Sequence, residues 1–397
     1  MLKPSSYYKK SSIVLRLFRY VVTLLFVLFL ISCIFIFRND ITIENLQLLT
    51  KFMTINDGSS LLYDGPFSVN AYEDSQVFII RDNLGIVTRN NISLYYLSGQ
   101  KLFSYDFSYS SPAVVHNDHY ILVYDIQGKE LSVFNSSSKI KSLEFENNIL
   151  AADIVDDHFA VVTTDTNGDY EVIVYEYVNS KKDYLESYRF ITSSEYITGV
   201  SIAEDGKNVL ITSAKSVNGS YECKISKYNT SSGSDKPVSY SAINDALPLY
   251  CSFSSNDANA YAVTDSSIIF YNSSLSPVSE YKFNQSKVDK YFVSDNMIVV
   301  TESNNLTGNS MSVTALDLKG NILFNVNVDD EIKDVSFGNN RVFVLGKNSV
   351  CEFTKNNSGQ FTQSRSAKLE DKYNYSVVDT DDNCYLISSS TVERINF

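Results

Sequence analysis

The sequence predicts an all-β repeat fold behind one N-terminal transmembrane helix, and three observations carry the prediction. Near its start the 397-residue chain holds a charge-free apolar run, Tyr20 to Phe37. From about residue 60 apolar and polar residues alternate with the period of half-buried strands. An Asp/Asn-rich turn followed at once by an apolar strand then recurs, at Asp74, Asp118, Asp157, Asp205, Asp257, Asp295, Asn339 and Asp382, with a mean interval of about 44 residues. A period of roughly 40–50 residues holding about four strands marks propeller blades. The predicted fold is therefore a β-propeller of seven to eight four-stranded blades, with eight units counted.

The N-terminus comes first in the chain. Lys3, Lys9, Lys10, Arg16 and Arg19 precede the apolar run, Arg38 follows it, and no acidic residue lies among them. Eighteen residues at about 1.5 Å each give a helix about 27 Å long, close to the hydrocarbon thickness. The excess of basic residues before the run places the N-terminus in the cytoplasm and the rest of the chain outside. No small-residue cleavage site follows Phe37, which argues against a cleaved signal peptide. Leu30-Ile31-Ser32-Cys33 has the look of a degenerate lipobox, but Ile34 to Phe37 continues the apolar run, and Cys33 reads as a small apolar residue of the span.

The expected organisation is a basic tail over 1–19, a span over 20–37, a spacer over 38–58 and a propeller over 59–397. Within the spacer, Ile43, Leu46, Leu49 and Phe52 recur every third residue behind Thr42, as a short helix with its N-cap would. In the second blade, Ser111 to Val115, Tyr120 to Tyr124, Glu130 to Phe134 and Ile140 to Phe145 read as its four strands, and Asp125 to Gly128 as a tight hairpin. The last unit, from about Leu369, holds only three strands: Tyr373 to Val378, Cys384 to Ser388 and Thr391 to Phe397. Ser59 to Tyr63 is the expected donor of its fourth, which would close the ring by pairing the two ends of the chain.

Several segments resemble known blade sequences. Leu94 to Phe103 and Val313 to Phe324 resemble the L-Y-A-L-D-x-x-G-K-x-L-W repeat of quinoprotein-like propellers, with Phe103 and Phe324 at the place of the Trp. Ala203-Glu204-Asp205-Gly206-Lys207-Asn208-Val209-Leu210-Ile211 is similar to the turn of WD40-like and TolB-like blades. Gly99 to Leu131, with Tyr196 to Ile202, resembles an uncharacterised family of single-pass, membrane-anchored propellers of clostridial-type bacteria. That resemblance implies architecture and location; the family brings no established activity.

Composition and motifs then narrow the chemistry. Without the six basic residues of the N-terminal segment, 27 Lys+Arg remain against 46 Asp+Glu, so the exterior part carries −19 and is unsuited to nucleic acid. His116-Asn117-Asp118-His119 has the residue types of a metal site, but His119 falls at the same turn of its blade as His158 does in the next. Asp165 to Asp169 and Asp379 to Asn383 place oxygens as a calcium loop does, but lack the later bidentate Glu and equally suit hairpin turns. With three His, no nucleophile elbow and no phosphate loop, no catalytic, cofactor or metal residue is singled out. The chain has no Trp to stack on a quinone. Cys223, Cys251, Cys351 and Cys384 allow three pairings, and their places in strands read as free buried thiols.

The functional expectation is a membrane-tethered, extracytoplasmic binding or scaffold module for an envelope protein or surface polymer, with no catalysis and no cofactor. The alternative is an extracytoplasmic propeller enzyme, glycan-active or cofactor-dependent, with its site at the mouth of the central channel.

Overall fold

The computed structural model describes residues 18–26, 29 and 65–397, except 166, 179–180, 182, 193–194, 233, 255–258, 285–287, 305–309 and 396. The chain divides into two units, Met1–Ser60 and Leu61–Phe397. In the first, residues 18–26 are helical. Most of the predicted span, Cys33 included, and the whole spacer with its helix lie outside the described residues. No helix among the described residues is long and apolar enough to cross a membrane.

The second unit is a ring of eight four-stranded antiparallel sheets. Blade one is β2 (Gln76–Ile80), β3 (Asn83–Val87), β4 (Asn91–Tyr96) and β5 (Lys101–Asp106); blade two is β6 (Pro112–His116), β7 (Tyr120–Asp125), β8 (Glu130–Asn135) and β9 (Lys139–Glu144). Blade three is β10 (Asn148–Val155), β11 (His158–Thr164), β12 (Tyr170–Val178) and β13 (Asp183–Thr192). Blade four is β14 (Tyr196–Ile202), β15 (Asn208–Val217), β16 (Ser220–Asn229) and β17 (Ser239–Asn244). Blade five is β18 (Pro248–Phe253), β19 (Ala260–Thr264), β20 (Ser267–Tyr271) and β21 (Pro277–Lys282). Blade six is β22 (Lys290–Val293), β23 (Met297–Ser303), β24 (Met311–Asp317) and β25 (Ile322–Val328). Blade seven is β26 (Ile332–Phe337), β27 (Arg341–Gly346), β28 (Ser349–Lys355) and β29 (Phe361–Lys368). Blade eight takes β30 (Tyr373–Val378), β31 (Cys384–Ser388) and β32 (Thr391–Arg394) from the end of the chain and β1 (Phe67–Ser68) from its beginning.

Position within a blade follows from which faces are covered. The middle strands are sandwiched by neighbouring blades and read as unbroken apolar runs. In β7, Ile121, Leu122 and Val123 are fully buried, each contributing about 1.5–3 kcal/mol of transfer free energy. Outer strands keep polar alternation, as in Lys139-Ile140-Lys141-Ser142-Leu143-Glu144 of β9. Among the described residues the apolar core consists of eight buried clusters, and each straddles one seam between neighbouring blades. A single blade therefore has no core of its own, and ring closure completes the last one.

Closure corrects one expectation. The strand pairing with β32 is Phe67–Ser68, opposite Val392 and Thr391, and Ser59 to Tyr63 lie outside the described residues. The pairing continues as the chain enters blade one: Val69 N donates to Ser390 O at 2.9 Å and Ala71 N to Ser389 O at 3.1 Å. Val69 and Ala71 fill the core of this seam, so its apolar content fixes the register.

We call "upper" the side carrying the turns between second and third strands and the links from blade to blade. On that side five inner strands carry a register shift near their start, in β10, β14, β18, β26 and β30. A bulge leaves one residue unpaired and re-aims it. In β26 and β30 those residues are Lys333 and Asn374, which meet each other in the site described next.

Candidate functional site

Two hollows open side by side on the upper face, astride the seam where the ring closes. The first, about 870 Å³, is lined by Tyr72, Glu73, Asp74, Thr88, Arg89 and Tyr109, among others. The second, about 580 Å³, is lined by Glu73, Lys333, Lys347, Asp371 and Lys372 with the hydroxyls of Ser388 to Thr391. Glu73 belongs to both. It lies on the link between β1 and β2, and Tyr375 of β30 holds that link by donating its hydroxyl to Tyr72 O at 2.9 Å and Glu73 O at 2.6 Å. The wall between the hollows is thus fixed to the inner strand of blade eight.

Arg89, Asp74, Lys333, Lys347, Asp371 and Lys372 of the hollows are ion-paired. Lys333 Nζ is 2.7 Å from Asp371 Oδ1 and also donates to Tyr373 O (2.9 Å) and Asn374 Oδ1 (3.2 Å). Lys347 Nζ lies 3.5 Å from Asp371 Oδ2. These contacts, the Lys333 hydrogen bond foremost, hold the Asp371 carboxyl below the usual range. Lys372 pairs with Glu393 at 3.2 Å, and Tyr373 donates to the same carboxylate at 2.7 Å. In the first hollow Arg89 Nε meets Asp74 Oδ2 at 2.5 Å with the Arg89 side chain 82% exposed, and Tyr72 is 59% exposed. The arrangement offers fixed donors and acceptors beside one open aromatic ring, as a binding surface does.

The inner strands are stitched blade to blade. Gln76 Oε1 accepts from Val114 N at 3.0 Å, Asp153 Oδ2 from Ile202 N at 2.9 Å and Asp334 Oδ2 from Ser376 N at 2.7 Å. Lys290 Nζ reaches Ile332 O at 2.9 Å. Crowding by the surrounding strands raises the carboxyl of Asp153 and pushes that of Asp334 up to about 6, although both keep partial contact with solvent.

The residues weighed as metal ligands serve the fold. His116 stacks on Phe78 with centroids 4.4 Å apart, and crowding around its ring lowers its pKa, although the residue keeps contact with solvent. His119 hydrogen bonds through Nδ1 with Arg81 of the neighbouring blade's turn, and the His158 ring fills the space beside Gly206 of the next blade. Asp165 Oδ1 accepts from Asn167 N (2.8 Å) and Asp169 N (2.9 Å), and Asp379 Oδ1 from Asp381 N (3.0 Å) and Asn383 N (2.8 Å). Both loops turn their carboxylates onto their own backbone. Among the described residues no group of three or more His, Cys, Asp or Glu is placed to hold a metal ion. The four cysteines of the ring are free and buried.

A family model described as a family of unknown function, DUF5711, matches residues 68–397. The chain belongs to that family. No curated protein matches it. Among solved structures it is similar to BamB from Moraxella catarrhalis, at 16% identity over 82% of this chain and 95% of that one, with a TM-score of 0.50. The C-terminal WD40 domain of Sif2 is 12% identical over 83% and 99%, TM-score 0.56. Sqt1 of Saccharomyces cerevisiae is 10% identical over 85% and 100%, TM-score 0.59. These likenesses agree with the propeller seen here.

Sequence reasoning assigned no functional role to the residues lining the hollows. The available signal was a charged residue inside an otherwise apolar inner strand, as in Ala151-Ala152-Asp153-Ile154-Val155 and Ile332-Lys333-Asp334-Val335. It marks the side chains that reach across to the next blade.

Proposed function

We propose that this protein is a non-catalytic, membrane-tethered propeller that holds an envelope protein or surface polymer outside the cell on its upper face. The observation that carries the reading is the pair of hollows meeting at Glu73, with Tyr72 exposed between paired charges. Function in such rings resides in the loops of one face rather than in the fold. A propeller of the same architecture, Sqt1 of Chaetomium thermophilum, is bound to the N-terminus of the ribosomal protein L10. The tether rests on Tyr20 to Phe37 and on the basic residues before it. Because Asp371 in the second hollow is committed to Lys333 and Lys347, binding suits it better than acid–base chemistry.

The test is site-specific photo-cross-linking in the native host, with the cross-linker at Tyr72, at Arg89 and, as a control, at Lys355 on the other side. A discrete adduct from the first two positions and not from the third is expected. Equal, diffuse labelling at all three would overturn the docking face. Turnover of a cell-wall glycan by the purified chain would overturn the non-catalytic reading, and protection of the ring from protease in wall-stripped cells would overturn its location.

A further inference from the structure

Tyr72 is an aromatic residue that the fold holds firmly and leaves outside. Its neighbour Ala71 is wholly buried, and Ser75 is buried on its other side. Ala71 N donates to Ser389 O at 3.1 Å, and Ser75 N donates to Tyr72 O at 3.0 Å. The Tyr375 hydroxyl closes on the same carbonyl at 2.9 Å. The backbone is thus fixed on both sides of a residue that is itself 59% exposed. A tyrosine anchored in this way has two side-chain torsions left to settle, so it offers flat apolar area at low entropic cost.

The same hollow of about 870 Å³ is lined by Glu73, Asp74, Thr88, Arg89, Asn90 and Tyr109. None of these is aliphatic. Thr88 and Tyr109 are buried, and the Tyr109 hydroxyl is shared with Ser132 Oγ at 2.9 Å. Arg89 directs one of its five N–H groups at Asp74 Oδ2, 2.5 Å away, and its side chain is 82% exposed. Asn90 is exposed, and its carbonyl is held by Phe107 N at 2.9 Å. Carboxylate, guanidinium and amide therefore line one hollow with an open aromatic ring, and supply both donors and acceptors. An apolar peptide anchor needs a pocket walled by hydrophobic side chains, which this hollow lacks. A sugar matches it on both counts, with a face of C–H groups for the ring and a rim of hydroxyls for the planar polar groups. Glu73 and Asp74 against Arg89 leave the lining at −1, in a chain of net charge −13. An anionic polymer would be repelled there.

We propose, resting on the docking reading of the upper face, that what it holds is an uncharged glycan. One sugar ring stacks on Tyr72, and its hydroxyls hydrogen bond with Asp74, Arg89 and Asn90. The full chain, purified in detergent, is mixed with wall polysaccharide of the native host that protease has freed of protein and acid of phosphate-bearing polymers. Saturable co-sedimentation is expected, little changed by raised salt. Tyr72→Phe keeps the ring and should retain binding, whereas Tyr72→Ala should bind about tenfold more weakly. Absence of saturable binding, binding abolished by raised salt, or equal binding by Tyr72→Ala would each overturn the proposal.

The photo-cross-linker at position 72 separates this failure from failure of the docking face. After digestion, the peptide bearing it should carry sugar mass. A partner peptide in that place would overturn the glycan and leave the docking face standing. Diffuse labelling would remove both.

Discussion

Asp334 on the inner strand of blade seven accepts the backbone N–H of Ser376 on the inner strand of blade eight at 2.7 Å. The same carboxylate accepts from Val335 N through its other oxygen at 2.9 Å. Asp153 and Ile202 repeat the relationship between blades three and four, and Gln76 and Val114 between blades one and two. A hydrogen bond from side chain to the next inner strand fixes the angle between blades where apolar packing alone would let them slide. It brings polar groups into a crowded wall, where an acid resists losing its proton.

That resistance sets a pH dependence. The carboxyl of Asp334 has an ordinary value of 3.8 and is pushed up to about 6, burial being the largest cause. The folded state then holds this proton more tightly than the unfolded chain. Its stabilising contribution is complete below about pH 4 and is lost as pH rises through 6. Asp334→Asn carries no charge at any pH. Its stability relative to the native chain should therefore rise between pH 4 and pH 7, by on the order of 2 kcal/mol. Paired urea melts across that range measure it, and a flat difference would refute the assignment.

Ring closure sets Phe67 of β1 close against Gly99 in the turn after β4. Gly99 has φ +91, and a Cβ there would lie 2.5 Å from Phe67 Cβ. The clash falls on the root of the side chain, which cannot swing aside. Gly99→Ala should cost about 2 kcal/mol or more from backbone strain and contact together. In a Phe67→Gly background, which removes that Cβ, the contact part should disappear and the strain part remain. A double-mutant cycle by thermal unfolding reads the coupling, and additive costs would show that the two residues act separately.

Much of the ring was legible because its signals are local. Blade two was expected over Tyr120 to Tyr124 and Glu130 to Phe134, and its middle strands run Tyr120–Asp125 and Glu130–Asn135. A strand buried on both faces must be apolar throughout, and its turn must be polar, so each blade announces itself. The closing strand did not, because Phe67–Ser68 is two residues long and too short for a period-2 pattern. The hollows and the arginine pair at Glu352 did not either. Lys333 meets Asn374 across 41 residues, and Arg341 and Arg365 meet at Glu352 only through strand register. Such neighbours exist only once the ring has formed.

Lys333 should stabilise the seam it crosses. It is the bulged residue of β26, and its ammonium donates to Tyr373 O, Asn374 Oδ1 and Asp371. Lys333→Met keeps the aliphatic stem and removes all three bonds. Asp371 is exposed enough to return to water, so the loss should be about 1–2 kcal/mol, concentrated on the carbonyl of Tyr373. Hydrogen exchange should quicken at the amides of β30 and not at those of β14 on the far side of the ring. Uniform quickening would mean that Lys333 contributes to the ring as a whole rather than to this seam.

The cysteines give the last test. Cys223 and Cys251 lie in one buried cluster between blades four and five and remain free, as do Cys351 and Cys384. Burial pushes the thiols of Cys223 and Cys251 up to about 12 and raises those of Cys351 and Cys384. Only the thiolate attacks a disulfide reagent, so exclusion of solvent and a raised pKa act in the same direction. In a Cys33→Ser background the native chain at pH 8 should release almost no chromophore from an aromatic disulfide reagent within minutes. In denaturant all four thiols should react at once. Reaction of only two in denaturant, with a matching loss of two hydrogens by mass, would show that an inter-blade disulfide had formed and that these residues are not free.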